Sequence, residues 1–250
     1  MKNLFFKIDF IFISLNKMSF VKRVSEIDLS NIEFSDLKKV GKGGKTSYIN
    51  VKNNGKTDRL ILQLPKLFAP FGASYYNPDG KTLDQQMPKY NVNLSLDEEV
   101  KGVKELKDFL KKLDKTVCKM ALKNKDWKKQ LDKGMDEKGL KYAYKSIVKP
   151  SSNEKYSDSL NVKVPVDWNN KQPALQLFSQ KREKLELTFE NIEQLLPKLS
   201  ELKGLIQICS VWFVSKKFGI TIKLLQGMVY SKEGFGDCAF VDSDSDSDSD

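Results

Sequence analysis

The 250-residue sequence predicts a mainly β protein with a helical insertion. Three observations predict it. Several segments alternate apolar and polar side chains with a period of two. One long segment, from Val100 to Met120, instead steps its apolar residues by three and four. The alternating segments lie on both sides of the helical one, and no internal repeat divides the chain, which places them in one body.

The elements follow in order. Arg59 to Leu64 puts Leu60, Leu62 and Leu64 on one face, with Arg59, Ile61 and Gln63 opposite. Tyr90 to Leu96 alternates Tyr90, Val92, Leu94 and Leu96 with Asn91, Asn93 and Ser95. Ser95 and Glu98 then form an S-x-x-E box that starts a helix. Its apolar stripe is Val100, Val103, Leu106, Leu110, Leu113, Val117 and Met120. The acidic start Asp97-Glu98-Glu99 and the lysine-rich end suit the helix dipole, while Gly102 weakens the first turns. Leu160 to Val166 alternates again, and its Pro165 marks an edge or a strand end. A short helix is expected at Asn191 to Leu196, before Pro197.

Leu205 to Val214 is an apolar run that reads as a buried strand. Ser215-Lys216-Lys217 is short enough to turn a hairpin. In the return strand, Phe218, Ile220, Ile222, Leu224, Met228 and Tyr230 share one face, and Lys217, Thr221 and Lys223 the other. Segments 41–57 and 149–159 are rich in Gly, Asn, Lys and Ser and read as mobile connections. A small β-barrel with a helical insertion, of OB type, accommodates this order.

Composition narrows the chemistry. There is no histidine, so no imidazole base, Ser-His or Cys-His pair, or imidazole metal ligand exists. Cys118, Cys209 and Cys238 are too few and too scattered for a thiolate zinc site or a disulfide framework, and they fit a reducing compartment. Asp97, Glu98 and Glu99 are explained by the helix start. Asp36, Asp58, Asp79 and Asp84 lie among turn residues without a recognisable spacing. Gly41 to Thr46 is glycine-rich but lacks the spacing of a phosphate-binding loop, and no apolar strand precedes it. The expectation is a binding protein without catalysis, cofactor or metal.

The two ends differ from the body. Residues 1–17 carry an apolar run too short to span a bilayer, which takes about 20 residues, and Lys7 and Asp9 interrupt it. They read as a disordered leader, with the working start at Met18 and no membrane association. Residues 18–236 form the expected domain, and 237–250 a disordered acidic tail. In that tail Asp242, Asp244, Asp246, Asp248 and Asp250 alternate with serines. The whole chain is at +10, and without those five aspartates the rest of it stands at +15.

A strongly basic body points to nucleic acid. Binding of single strands needs cations that track phosphates and flat side chains on which bases stack. The candidates are Trp212 beside Lys216 and Lys217, then Lys223 on the polar face of its strand. Phe71, Tyr75 and Tyr76 join them from the turn-rich segment KLFAPFGASYYN. Trp212 is read equally well as core or as binding surface.

VWFVSKKFGITIKLLQ (Val211 to Gln226), LQLPKLFAPFGAS (Leu62 to Ser74), YNVNLSLD (Tyr90 to Asp97) and the terminal VDSDSDSDSD together resemble a viral family. This is the family of acidic-tailed single-stranded DNA-binding proteins of nucleocytoplasmic large DNA viruses, distantly related to those of short-tailed phages. The resemblance covers most of Met18 to Asp250. It implies an OB-fold-like five-stranded barrel that coats single-stranded DNA during viral replication, recombination or repair, inside the host cell at the replication site. It also implies a homodimer and a tail that recruits viral replication proteins. Phage relatives end the tail in an aromatic residue, whereas this chain ends in Asp250, with Phe240 ahead of the acidic run. An RNA-binding or transcription-associated protein, and an acidic-tailed chaperone or scaffold for basic proteins, are the competing readings.

Overall fold

The computed structural model describes residues 21–41, 43–53, 55–76 and 87–230. The leader, the Met18 start and the acidic tail lie outside the described residues. The chain opens with the short strand β1 (Val21–Lys22), followed by β2 (Ile32–Phe34) and β3 (Lys38–Val40). Two long strands come next, β4 (Gly44–Asn53) and β5 (Lys56–Ala69), then β6 (Ala73–Tyr75) and β7 (Tyr90–Ser95). The helical insertion holds α1 (Val103–Lys123), α2 (Lys125–Lys128) and α3 (Glu137–Ala143). Short strands follow: β8 (Tyr144–Lys145), β9 (Val148–Lys149), β10 (Ser159–Lys163), β11 (Val166–Asp167), β12 (Gln172–Pro173), β13 (Gln176–Phe178) and β14 (Lys184–Leu185). The one-turn helix α4 (Ile192–Leu195) leads to the longest strands, β15 (Ser200–Val214) and β16 (Lys217–Tyr230).

The protein is mainly β, as expected. Its principal sheet runs β1-β5-β4-β15-β16-β10-β7-β6. β5 pairs with β4 through Lys56 to Arg59 and with β15 through Leu60 to Ala69. Among the described residues no ladder joins β6 to β1, so these pairings do not show a closed five-stranded barrel.

The expected hairpin forms with a two-residue turn. Val214 pairs with Lys217, and Ser215 and Lys216 take φ of 49° and 63°. Both residues at positive φ is the turn that matches strand twist. Phe218, Ile222 and Leu224 point into the core as the alternation requires. Met228 and Tyr230 do not. An extra residue, Leu225, sits between the Leu205–Gln226 and Ile206–Leu224 pairs. A one-residue bulge inverts the phase beyond it. Gly227 and Val229 therefore turn inward, while Tyr230 faces out beneath the Lys66 ammonium, 5.1 Å from the ring centre. A second bulge, at Cys209, inverts β15 in the same way.

The long helix exists, but it starts later than Ser95 suggests. Ser95 is the last residue of β7, and Asp97 to Lys101 lie in irregular and turn structure. Gly102, at φ 86°, is the residue that enters the helix. Glu98 instead pairs with Lys107 at 2.5 Å, and Lys107 also reaches Asp158 at 2.9 Å. Val100 is consequently exposed, whereas Val103, Leu106, Leu110, Leu113 and Val117 are buried. Each such side chain contributes about 1.5–3 kcal/mol relative to exposure. Asp114 is buried on the same helix and accepts hydrogen bonds from Tyr144 Oη, Ser146 Oγ and the Ile147 amide, tying α1 to the chain after α3.

Segment 41–57 is not the mobile connection expected of it. Gly44–Asn53 is a ten-residue strand with Ser47, Ile49 and Val51 inward. Segment 149–159 is irregular between β9 and β10, held by the Ser151 amide on Asp158. The short helix before Pro197 is present as α4. The core is one cluster to which α1, α2 and the long strands contribute. Within it Trp127 packs edge-on against Phe34 and Phe213.

Candidate nucleic-acid interface

Residues paired across neighbouring strands project from the same face of a sheet. This rule assembles one outward face from β4, β15, β16, β10, β7 and β6. Trp212 pairs with Gly219 and Thr46; Gly219 also pairs with Lys145, and Thr46 with Lys38. Two residues along, Ser210 pairs with Tyr48 and Thr221. The next row runs Gln207, Lys223, Lys163, Asn91, Ser74. The Tyr76 amide donates to the Lys89 carbonyl at 2.7 Å, which extends the β6–β7 ladder by one pair and brings Tyr76 and Lys89 to this face. Arg59 joins from β5 through its pairing with Asn50.

The face is therefore cationic and aromatic. Lys38, Arg59, Lys145, Lys163, Lys217 and Lys223 are all exposed on it. Among the described residues none of the six has a carboxylate within ion-pair distance, whereas Lys52, Lys66, Lys107 and Lys129 all do. Tyr48 is 44% and Tyr76 52% exposed, and Trp212 is half-buried. The Lys38 ammonium lies 5.3 Å from the Tyr48 ring centre. Gly219 is required here. A Cβ on it would stand 2.9 Å from Trp212 Cζ2 and 3.0 Å from Lys145 Cβ, so the indole crosses β16 only because glycine is there.

The electrostatics are strained in one direction. Lys163 and Lys223 are direct cross-strand partners. Desolvation first, then Lys223, hold the Lys163 ammonium below the usual lysine value. The thiol of Cys209, the bulge residue on β15, is pushed up to about 11 by burial, partly offset by Lys223, Arg59 and Lys163. Three cations thus converge over one bulge. Like charges directly opposite each other destabilise a sheet. A phosphate placed between them reverses that sign.

Of the residues singled out in the sequence, Trp212, Lys217, Lys223 and Tyr76 lie on this one face, with Trp212 half-buried at the surface and not in the core. Three other candidates are not. Tyr75 pairs with Tyr90 on the opposite face, with ring centres 5.5 Å apart, and Tyr90 stacks on Phe189. Phe71 is exposed at the β5–β6 turn, where Gly72 packs against the Leu196 and Pro197 backbone, away from the lysine rows. Lys216 occupies the hairpin turn, and its ammonium donates to the Leu131 carbonyl at 3.3 Å. Sequence reasoning missed Lys38, Tyr48, Arg59, Lys145 and Lys163. Lys163 carried a usable signal, since it alternates with Val162 and Val164; Tyr48 was hidden in a polar segment.

Among the described residues no group of three or more Cys, Asp or Glu is placed to hold a metal ion, and no helix is long and apolar enough to cross a membrane.

No family model matches the chain, and no curated protein matches it. Solved structures similar to it are phage single-stranded DNA-binding proteins. One is from bacteriophage Enc34, at 14% identity over 84% of this chain and 96% of that one, with a TM-score of 0.40. A C-terminal truncation of the same protein gives 13%, 81%, 97% and 0.41. The third is gp2.5, a single-stranded DNA-binding protein encoded by bacteriophage T7, at 13% identity over 72% and 91%, with a TM-score of 0.39. Likeness of this degree assigns no function by itself.

Proposed function

We propose that the protein binds single-stranded DNA without sequence preference, and without catalysis, on the outward face of β4, β15, β16, β10, β7 and β6. The observation that carries this is the coincidence, on one sheet face, of Tyr48, Trp212 and Tyr76 with six cations that have no carboxylate within ion-pair distance among the described residues. Crossing from β4 to β6 takes five interstrand steps, or about 24 Å at roughly 4.8 Å each, enough for a short run of nucleotides. Lysine and arginine contact phosphates, which carry no sequence. The aromatic rings stack on any base, each worth about 1–3 kcal/mol.

The five tail aspartates, Asp242 to Asp250, compete with DNA for this face. Once displaced, they are available to replication proteins with basic surfaces. The fuller reading is that of the resembled viral family: an OB-type coating protein, dimeric, acting at a viral replication site.

The test is titration with oligo-dT at low and at moderate salt, followed by tryptophan emission. Trp212 emission is expected to be quenched, and binding to weaken steeply with salt. Absence of both quenching and salt-dependent binding would remove the proposal. Competition by matched oligo-rU decides between DNA and RNA.

A further inference from the structure

The protein has three tryptophans, and two are accounted for. Trp127 is buried in the core, and Trp212 lies on the cationic face. Trp168 is the third, and 64% of it is exposed. A single exposed apolar side chain is ordinary on a protein surface, but tryptophan is enriched where a partner covers it, and the surroundings of Trp168 decide between the two.

Trp168 stands at the tip of the β11–β12 hairpin, followed by Asn169, Asn170 and Lys171. The tip is fixed. Asp167 is buried and accepts from the Asn169 and Asn170 amides and from Asn170 Nδ2 at 2.9, 3.2 and 2.6 Å. The base is closed by the Ala174 amide on the Pro165 carbonyl at 2.8 Å. A rigid hairpin with one exposed ring presents that ring at little entropic cost.

Topology places this hairpin beside the cations. Lys163 pairs with Lys223 of β16, and Gln176 pairs with Gln226 of the same strand, both in parallel. The chain between them, 164–175, thus leaves and rejoins one edge of β16 within three residues of that strand, about 10 Å. The hairpin sprouts from that gap. Trp168 is five residues from Lys163, so the two α-carbons are at most about 18 Å apart. On its other flank the Phe189 amide donates to Gln172 Oε1 at 3.3 Å, and Phe189 stacks on Tyr90, the partner of Tyr75.

We infer that Trp168 is a second base-stacking residue for single-stranded DNA, carried on a rigid hairpin at the edge of the cationic rows. The inference rests on the single-stranded DNA reading above. It makes the strand run from Trp212 past Lys223 and Lys163 to Trp168. Charge selects the occupant: the hairpin springs from Lys163, which like Lys223 has no carboxylate within ion-pair distance among the described residues, its own acid Asp167 is buried and used, and Glu190 and Glu193 lie on the other flank, beside Tyr90.

The experiment separates the rings. In Trp212→Phe, the remaining exposed tryptophan is Trp168, and its emission is expected to be quenched by oligo-dT. Trp168→Ala is expected to weaken oligo-dT binding about tenfold while leaving the melting temperature and the salt slope unchanged. Unchanged affinity in Trp168→Ala, together with no quenching in Trp212→Phe while salt-dependent binding persists, overturns the inference and spares the DNA reading. Absence of salt-dependent binding in the wild type removes both.

Discussion

Lys163 pays for its position. It faces Lys223 across the parallel β10–β16 pair, and its ammonium titrates below the usual lysine value, chiefly through desolvation. A lysine whose folded value is depressed costs stability throughout the pH range below that value. The cost is relieved only as pH rises toward the value of unfolded lysine. Lys163→Gln removes the cost at neutral pH. It is expected to stabilise the fold by a few tenths of a kcal/mol, screened as it is by solvent, and to weaken oligo-dT binding. Thermal melts and titrations on one sample check both signs. A variant that loses stability and keeps its affinity contradicts this role. Opposite signs are the signature of a residue held for binding.

At the scale of elements, the hairpin turn between β15 and β16 shows what periodicity reads and what it cannot. Leu205 to Val214, the turn and the first half of the return strand were legible because alternation is a local property. The bulges at Leu225 and Cys209 were not, because an extra residue is visible only against a partner strand. Met228 and Tyr230 changed face for that reason. Likewise Ser95 and Glu98 had the spacing of a capping box, but Leu96 is buried and its amide pairs with the Asp158 carbonyl, which holds the chain extended there. The helix waits for Gly102. The turn also yields a prediction. Ser215 and Lys216 hold positive φ without being Gly or Asn. Ser215→Asn with Lys216→Gly is expected to stabilise by about 1 kcal/mol, or roughly 2–4 °C for a domain of this size, measured by thermal melt. DNA affinity should scarcely change, because the Lys216 ammonium turns back to the Leu131 carbonyl.

For the whole molecule, the sequence reading recovered the charge balance and only part of the site. A chain at +10 whose last aspartates carry five negative charges is a basic body with an acidic appendage, and that needs no fold to see. Deleting Asp242 to Asp250 is expected to tighten oligo-dT binding severalfold at low salt and little at high salt, by direct titration. Equal affinities at low salt would end tail competition and leave the face untouched. The site itself was half legible. Trp212, Lys217 and Lys223 lie on one hairpin, so local alternation grouped them. Lys163, Tyr48, Lys38 and Arg59 reach the same face only through long-range pairings of β10, β4, β3 and β5, which no window of sequence contains. The central claim is that this assembled face neutralises phosphates. The most direct measurement is the slope of log affinity for oligo-dT against log salt, in the wild type and in Lys163→Gln/Lys223→Gln. Two fewer phosphates neutralised on a single strand should flatten the slope by about 1.4. An unchanged slope with unchanged affinity would place the DNA elsewhere on the protein.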